Sequence, residues 1–349
     1  MLCALGGHGH APIRAQPCRG AWRTVRRRTA VTLMLAALAA PRALHAQAKA
    51  VHRIGFLGNS TAALEANLVG PFRDGLRALG YVEGRNLAIE YRWAEGDYKR
   101  FPALVAELAR ARVEIIVTAG TPASLAVQRG APSIPLVMVA VGDPVGTGLV
   151  QSLAAPGGNS TGLTSIAPDL EGKRLQLLAE IVPKLAHVVL LMNPVNPFHV
   201  TAERQAREAA TALGVRLDGV GVRETAELGR AFDTIARNRP DALIMLADRV
   251  FLHDRRQIAD FAARNRLPAV YAYRELVEAG GLMAFGPNYA EMHRRAAAYV
   301  DRILRGAKPG ELPIELPTKF ELIVNIKAAK ALDLTIPQSV LVRADEIIR

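Results

Sequence analysis

Short apolar runs alternate with helix-period stretches from residue 53 onward, and this alternation is what most limits the possible folds. Arg53-Ile54-Gly55-Phe56-Leu57-Gly58 reads as a strand. Leu64, Leu68, Phe72, Leu76 and Leu79 follow at spacings of three and four, one face of a helix that Gly80 closes. Strands at Leu87–Tyr91, Glu114–Thr118 and Pro135–Val141 come next. Between them lie a helix behind Asp97 (Phe101, Leu104, Val105 and Leu108 on its apolar side) and one opened by Thr121-Pro122. The pattern restarts after Gly162. Strands at His187–Met192, Val215–Val222, Asp241–Leu246 and Ala269–Tyr273 are separated by helices, the first running from Asp169 to Val182. Strands separated by helices of this length form parallel sheets covered on both faces. Two such blocks predict an α/β protein of two doubly wound parallel-sheet lobes.

The chain then leaves the second block. A glycine-flanked strand (Gly280 to Gly286), a helix from Tyr289 to Leu304, a proline-punctuated stretch from Gly310 to Pro317, and a strand-helix from Phe320 to Leu332 close it. That is too little for a third domain. It predicts chain returning to the first lobe and crossing back, so that three crossovers make a hinge over a cleft. The expected boundaries are 49–163 plus 286–312 for the first lobe and 164–285 plus 313–349 for the second.

Residues 1–48 differ in kind. They hold seven arginines and no Asp, Glu or Lys. Arg23, Arg26, Arg27 and Arg28 precede an apolar run from Ala30 to Ala40, and Ala46 and Ala48 offer a small-x-small exit. This is the layout of a secretory signal peptide, and Pro41-Arg42 ends the run short of a bilayer span. An uncleaved anchor is the alternative. Export places the expected location in the periplasm. Without these residues the chain has 37 basic (44 less 7) against 32 acidic residues. A mild surplus with no basic stripe argues against nucleic acid as a partner. Both cysteines, Cys3 and Cys18, fall in the same segment, so the remainder forms no disulfide or thiolate metal site.

Ligands of parallel α/β sheets bind beyond the carboxyl ends of the strands, where helix N-termini present free N–H groups. The candidates are therefore Ser60, Thr61, Gly120, Thr121, Asp143 and Pro144 in the first lobe, and Asn193, Asn196, Asp248, Tyr271 and Tyr273 in the second. Ser60, Thr61 and Thr121 are equally read as plain helix caps, and the aspartates as caps or surface ion partners. Asp143 or Asp248 would take an amine. Tyr271 and Tyr273 point to opposite faces of one strand, so at most one faces a cleft.

Catalytic patterns are missing. Gly157-Gly158-Asn159-Ser160-Thr161-Gly162 has no Lys-Ser/Thr after it and precedes a strand rather than following one. The first strand-helix turn has no Gly-x-Gly-x-x-Gly. His52, His187, His199, His253 and His293 have no close metal spacing, and no Gly-x-Ser-x-Gly occurs. The expectation is a protein that is not an enzyme, with no cofactor and no metal.

Several stretches follow a known order: Gly120-Thr121-Pro122-Ala123, Gly142-Asp143-Pro144-Val145-Gly146-Thr147-Gly148-Leu149-Val150, Pro156 to Gly162, Gly280-Gly281-Leu282-Met283, Pro317 to Asn325, and Ala328 to Ala344-Asp345. Across residues 52–348 the chain resembles the ABC-transporter substrate-binding protein family that includes tryptophan/tyrosine uptake receptors. The resemblance implies a type I periplasmic-binding-protein fold. It also implies a monomeric receptor for a small solute, an amino acid or aromatic compound, working with a membrane permease and ATPase. A secreted sensor reporting to a receptor or kinase without transport is the alternative. Where the family carries a tyrosine before Gly286-Pro287 this chain has Phe285, a further candidate ligand contact that lacks the hydroxyl; Asp333 stands where relatives have glycine.

Overall fold

The computed structural model describes residues 51–166 and 169–349. The basic cluster, apolar run and cysteines of the first 48 residues lie outside the described residues. The chain builds β1 (His52–Gly58), α1 (Ala66–Ala78), β2 (Leu87–Trp93), α2 (Phe101–Arg110), β3 (Ile115–Ala119), α3 (Thr121–Gly130), β4 (Leu136–Val141) and β5 (Ser160–Thr164). Then come α4 (Leu170–Ile181), β6 (His187–Met192), α5 (Phe198–Leu213), β7 (Arg216–Gly221), α6 (Leu228–Asn238) and β8 (Ala242–Met245). Next are α7 (Arg249–His253), α8 (Arg255–Arg264), β9 (Ala269–Tyr271), α9 (Arg274–Glu278) and β10 (Met283–Pro287). The last elements are α10 (Tyr289–Leu304), β11 (Phe320–Asn325), α11 (Ile326–Ala331), α12 (Gln338–Arg343) and β12 (Glu346–Ile348).

Two sheets result, ordered β2-β1-β3-β4-β5 and β12-β11-β10-β9-β8-β6-β7. Every residue of β3, β4 and β8 is buried. Such all-apolar strands need helices on both faces, which is why their sequences run apolar rather than alternate. The first sheet gains a fifth strand, β5. Its Ser-Thr-Gly-Leu-Thr sequence carries little strand signal, and Gly162 has φ +133°.

The glycine-flanked strand after the second block stays in the second sheet as β10, paired in parallel with β9; only the helix behind it leaves. That helix, α10, packs its Met292, Ala296, Ala297 and Val300 with Leu68, Phe72 and Leu76 of α1 in the first lobe's core. A Cβ on Gly75 would lie 2.5 Å from the Arg294 carbonyl, so a glycine is what lets the two helices touch. The chain then crosses back. On the way Glu315 donates to the Gly162 carbonyl and accepts from the Thr164 N–H (2.9 Å each), binding this crossing to β5. It re-enters the second sheet from the cleft side, so β11 runs antiparallel to β10, the one antiparallel pair among the described strands.

Candidate functional site

The carboxyl ends of β1, β3 and β4 face those of β6, β8 and β9, and a narrow cavity of about 20 Å³ lies between them. The first lobe lines it with Tyr98, Gly120, Thr121, Pro122, Ala140, Gly142 and Ser165. The second supplies Asn196, Phe198, Ala247, Asp248, Arg249 and Tyr273.

Each wall follows from local sequence. Gly120 sits at φ +82°, a conformation that side chains resist, and turns β3 into α3 with that helix's first residues at the cavity. The Thr121 hydroxyl accepts from the Gly142 N–H (3.1 Å), fixing the β4 end beside it. Ala140 is a non-glycine residue at φ +52°, where the β4–β5 register slips between Met138 and Val141. Such a bulge re-aims backbone at a sheet end. Opposite, Asp248 caps α7 through the Val250 N–H (3.0 Å). The same Oδ1 accepts from the Tyr98 hydroxyl at 2.7 Å and from Asn193 Nδ2 at 3.3 Å, while Oδ2 accepts from Asn196 Nδ2 at 2.8 Å. A carboxylate has about four acceptor positions, so Oδ2 keeps one free.

The lobes touch at further points. Ser60 Oγ lies 2.7 Å from His253 Nδ1, Asn67 Nδ2 donates to Glu275 Oε1 (2.5 Å), and Lys99 Nζ donates to Glu224 Oε2 (2.5 Å).

Arg249 is the unusual group. It is 4% exposed, its guanidinium carbon lies 5.3 Å and 5.2 Å from the ring centres of Tyr273 and Tyr289, and neither Nη has a hydrogen-bond partner among the described residues. Aromatic faces favour a cation there but satisfy no N–H. Glu65, buried near it, has its pKa raised by burial, against the pull of Arg249 and of the Ser60 and Asn59 amides. Glu275 Oε2, the Tyr289 hydroxyl and His293 Nε2 are also buried without partners among the described residues. Unpaired buried polar atoms are rare in folded proteins.

Of the residues singled out by sequence, Gly120, Thr121, Asn196, Asp248 and Tyr273 line the cavity. Ser60 and Asn193 stand just behind it, Ser60 on His253 and Asn193 holding Asp248. The others do not line it. Thr61 accepts from the Leu64 N–H, a plain turn. Asp143 accepts from the Gly146 N–H in the turn it shares with Pro144. Tyr271 points away from the cleft, against Gly281. The Phe285 ring packs on Phe320 within the second lobe, so a hydroxyl there is not needed at the cavity. Sequence reading missed Tyr98, Phe198 and Arg249. The one available signal was that Arg249 follows Asp248 directly at a strand end.

Residues 60–348 match the family described as ABC transporter substrate binding protein. A tyrosine-binding protein of Clostridioides difficile is 26% identical over 263 residues, 75% of each chain. The crystal structure of a conserved domain protein from Vibrio cholerae is 28% identical, with a TM-score of 0.79 over 85% of this chain and 99% of that one. The L-Trp complex of an ABC domain from Streptococcus pneumoniae has the same TM-score and coverage at 23% identity, which speaks to fold alone. The two hinged α/β lobes are the type I periplasmic-binding fold, and the chain belongs to the ABC transporter substrate-binding protein family.

Proposed function

We propose that this chain is the exported receptor of an ABC uptake system and that its solute is a small α-amino acid with an aromatic or apolar side chain. One observation carries the solute class: the Arg249 guanidinium, buried in the cleft region with both Nη groups unpartnered. A carboxylate is the group that pairs with a guanidinium fork through two hydrogen bonds. The first turn of α3, entered through Gly120 and Thr121, adds free amides of the right polarity for the same anion. The open acceptor position on Asp248 Oδ2 suits the ammonium, and Tyr98, Phe198 and Tyr273 suit the side chain. The tyrosine and tryptophan named for the relatives agree with this reading.

Calorimetry with tyrosine, tryptophan, phenylalanine and leucine, set beside tyramine and tryptamine, tests it. The amino acids are expected to bind and the decarboxylated amines to lose at least about thirtyfold, since removing one partner of a buried charge pair costs some 2 kcal/mol or more. Equal binding of tyramine and tyrosine sinks the carboxylate assignment. Silence from all four amino acids sinks the solute class. Loss of uptake in a deletion strain, restored by the gene, tests the transport role.

A further inference from the structure

The cavity between the strand ends has room for about one water molecule, too little for an aromatic side chain. A groove of about 570 Å³ adjoins it, and Tyr98 and Pro122 line both spaces. The groove follows α3. Pro122, Leu125, Ala126 and Arg129 stand at i, i+3, i+4 and i+7, one face of that helix. From Pro122 at the cleft to Arg129 the stripe rises about 10 Å. Arg129 is exposed, so the far end opens to water.

The second lobe adds Val195 and Pro197, from the loop that holds Asp248. Asn193 and Asn196 of this loop donate to that carboxylate, while Val195 between them lines the groove. Val195 is 52% exposed, a large apolar side chain left in water beside the cleft. Walls drawn from two lobes make a groove only while the lobes touch. The closure that assembles the cleft therefore also assembles an apolar channel leading out of it.

We propose that this groove is an outer subsite of the cleft, and that the solute is an amino acid whose side chain extends beyond a single ring. The inference rests on the amino-acid reading above. With the carboxylate on Arg249 and the ammonium on Asp248, the side chain leaves past Tyr98 and Pro122, the two residues common to both spaces. The apolar stripe of α3 and Val195 then cover the extension, and its end reaches water at Arg129.

Tyrosine and O-benzyltyrosine are the probes, titrated into the purified protein by calorimetry. The benzyl ether is expected to bind about tenfold more tightly than tyrosine, the worth of half-burying a phenyl ring. The double variant Leu125→Gln with Val195→Gln, at partly exposed and exposed positions, should keep the unfolding midpoint and the affinity for tyrosine. Its preference for the ether should fall below about threefold, since the covering apolar area is gone. Tyrosine bound as tightly as the ether or more tightly, or a preference for the ether that survives in the double variant, overturns the subsite and leaves the amino-acid reading standing. Silence of the ether and of all four amino acids overturns both.

Discussion

Tyr98 is tied to both lobes. Its ring stacks on Phe101 at 4.9 Å in the first lobe, and its hydroxyl donates to Asp248 of the second. Burial, and then the Asp248 charge, push the phenol pKa well up, so the proton stays in that bond. The bond exists only while the lobes touch, so it favours closure rather than folding. Tyr98→Phe is therefore expected to weaken ligand binding about tenfold, at the low end for a hydrogen bond to a charged group, with little change in unfolding midpoint. Calorimetry and thermal melting read the two separately. His293, on α10, acts on stability instead. Its Nδ1 lies 2.7 Å from the Tyr289 carbonyl and its Nε2 has no partner among the described residues. Burial, reinforced by the charge of Arg249, pushes its pKa down from 6.5 to about 3. The unfolded chain thus takes up this proton first. The stability from keeping His293 neutral is complete above about pH 6.5 and falls toward pH 3, by at most about 1.4 kcal/mol per pH unit. His293→Asn should flatten that acid limb, as checked by urea midpoints from neutral pH down to about pH 4. Neither residue announces itself in sequence. A chain with seven tyrosines and eight histidines gives no local sign of which one meets a distant element. By contrast Gly120, Thr121, Asn196, Asp248 and Tyr273 were legible, because strand ends are located by pattern alone.

At the scale of elements, the readable parts were those whose burial is uniform or whose period is long. β3 and β4 are buried at every residue, and α10 runs from Tyr289 to Leu304 as its apolar spacing indicates. Leu64 and Leu79, the ends of the stripe assigned to the first helix, fall outside α1, where the chain bends into its flanking turns. The unread parts were short, namely α7, α9, α12 and β12, each of six residues or fewer. Too few residues repeat there for any period to show, and tertiary packing decides them. The start of α5 carries a prediction about closure. Phe198 stands against Gly142 across the lobes, and a Cβ on Gly142 would strike the root of its ring. Gly142 does not have a positive φ, so alanine fits its backbone. Gly142→Ala should leave each lobe folded and obstruct their approach. The expected loss in affinity is about fivefold to 150-fold, the usual ~1–3 kcal/mol for overpacking. Small-angle scattering should show the liganded variant as extended as the unliganded one. A variant that compacts normally would mean that Phe198 turns aside at no cost.

For the whole molecule, the two lobes work as a receptor if closing is unfavourable alone and favourable with a solute. The buried groups provide for that. Arg249 belongs to the second lobe and Glu65 to the first, so contact between the lobes takes both out of water. Yet Glu65 spends Oε1 on the Ser60 and Asn59 amides, and Arg249 gains no hydrogen bond at either Nη. Coulomb attraction alone seldom repays the desolvation of two ions. On the proposed reading a solute carboxylate would complete the guanidinium's bonding and turn that deficit into affinity, while the crossing tied to β5 by Glu315 limits the motion to a hinge. Arg249→Met keeps much of the side-chain volume and removes the charge. It is expected to cost binding at least about thirtyfold, or ~2 kcal/mol, and to abolish ligand-driven compaction in scattering. The unliganded variant should close more readily than the unmodified protein, because an apolar side chain pays no ionic desolvation. Binding retained within a few-fold would mean that Arg249 only balances Glu65 and Glu275, and that the solute's anionic end rests on α3 alone.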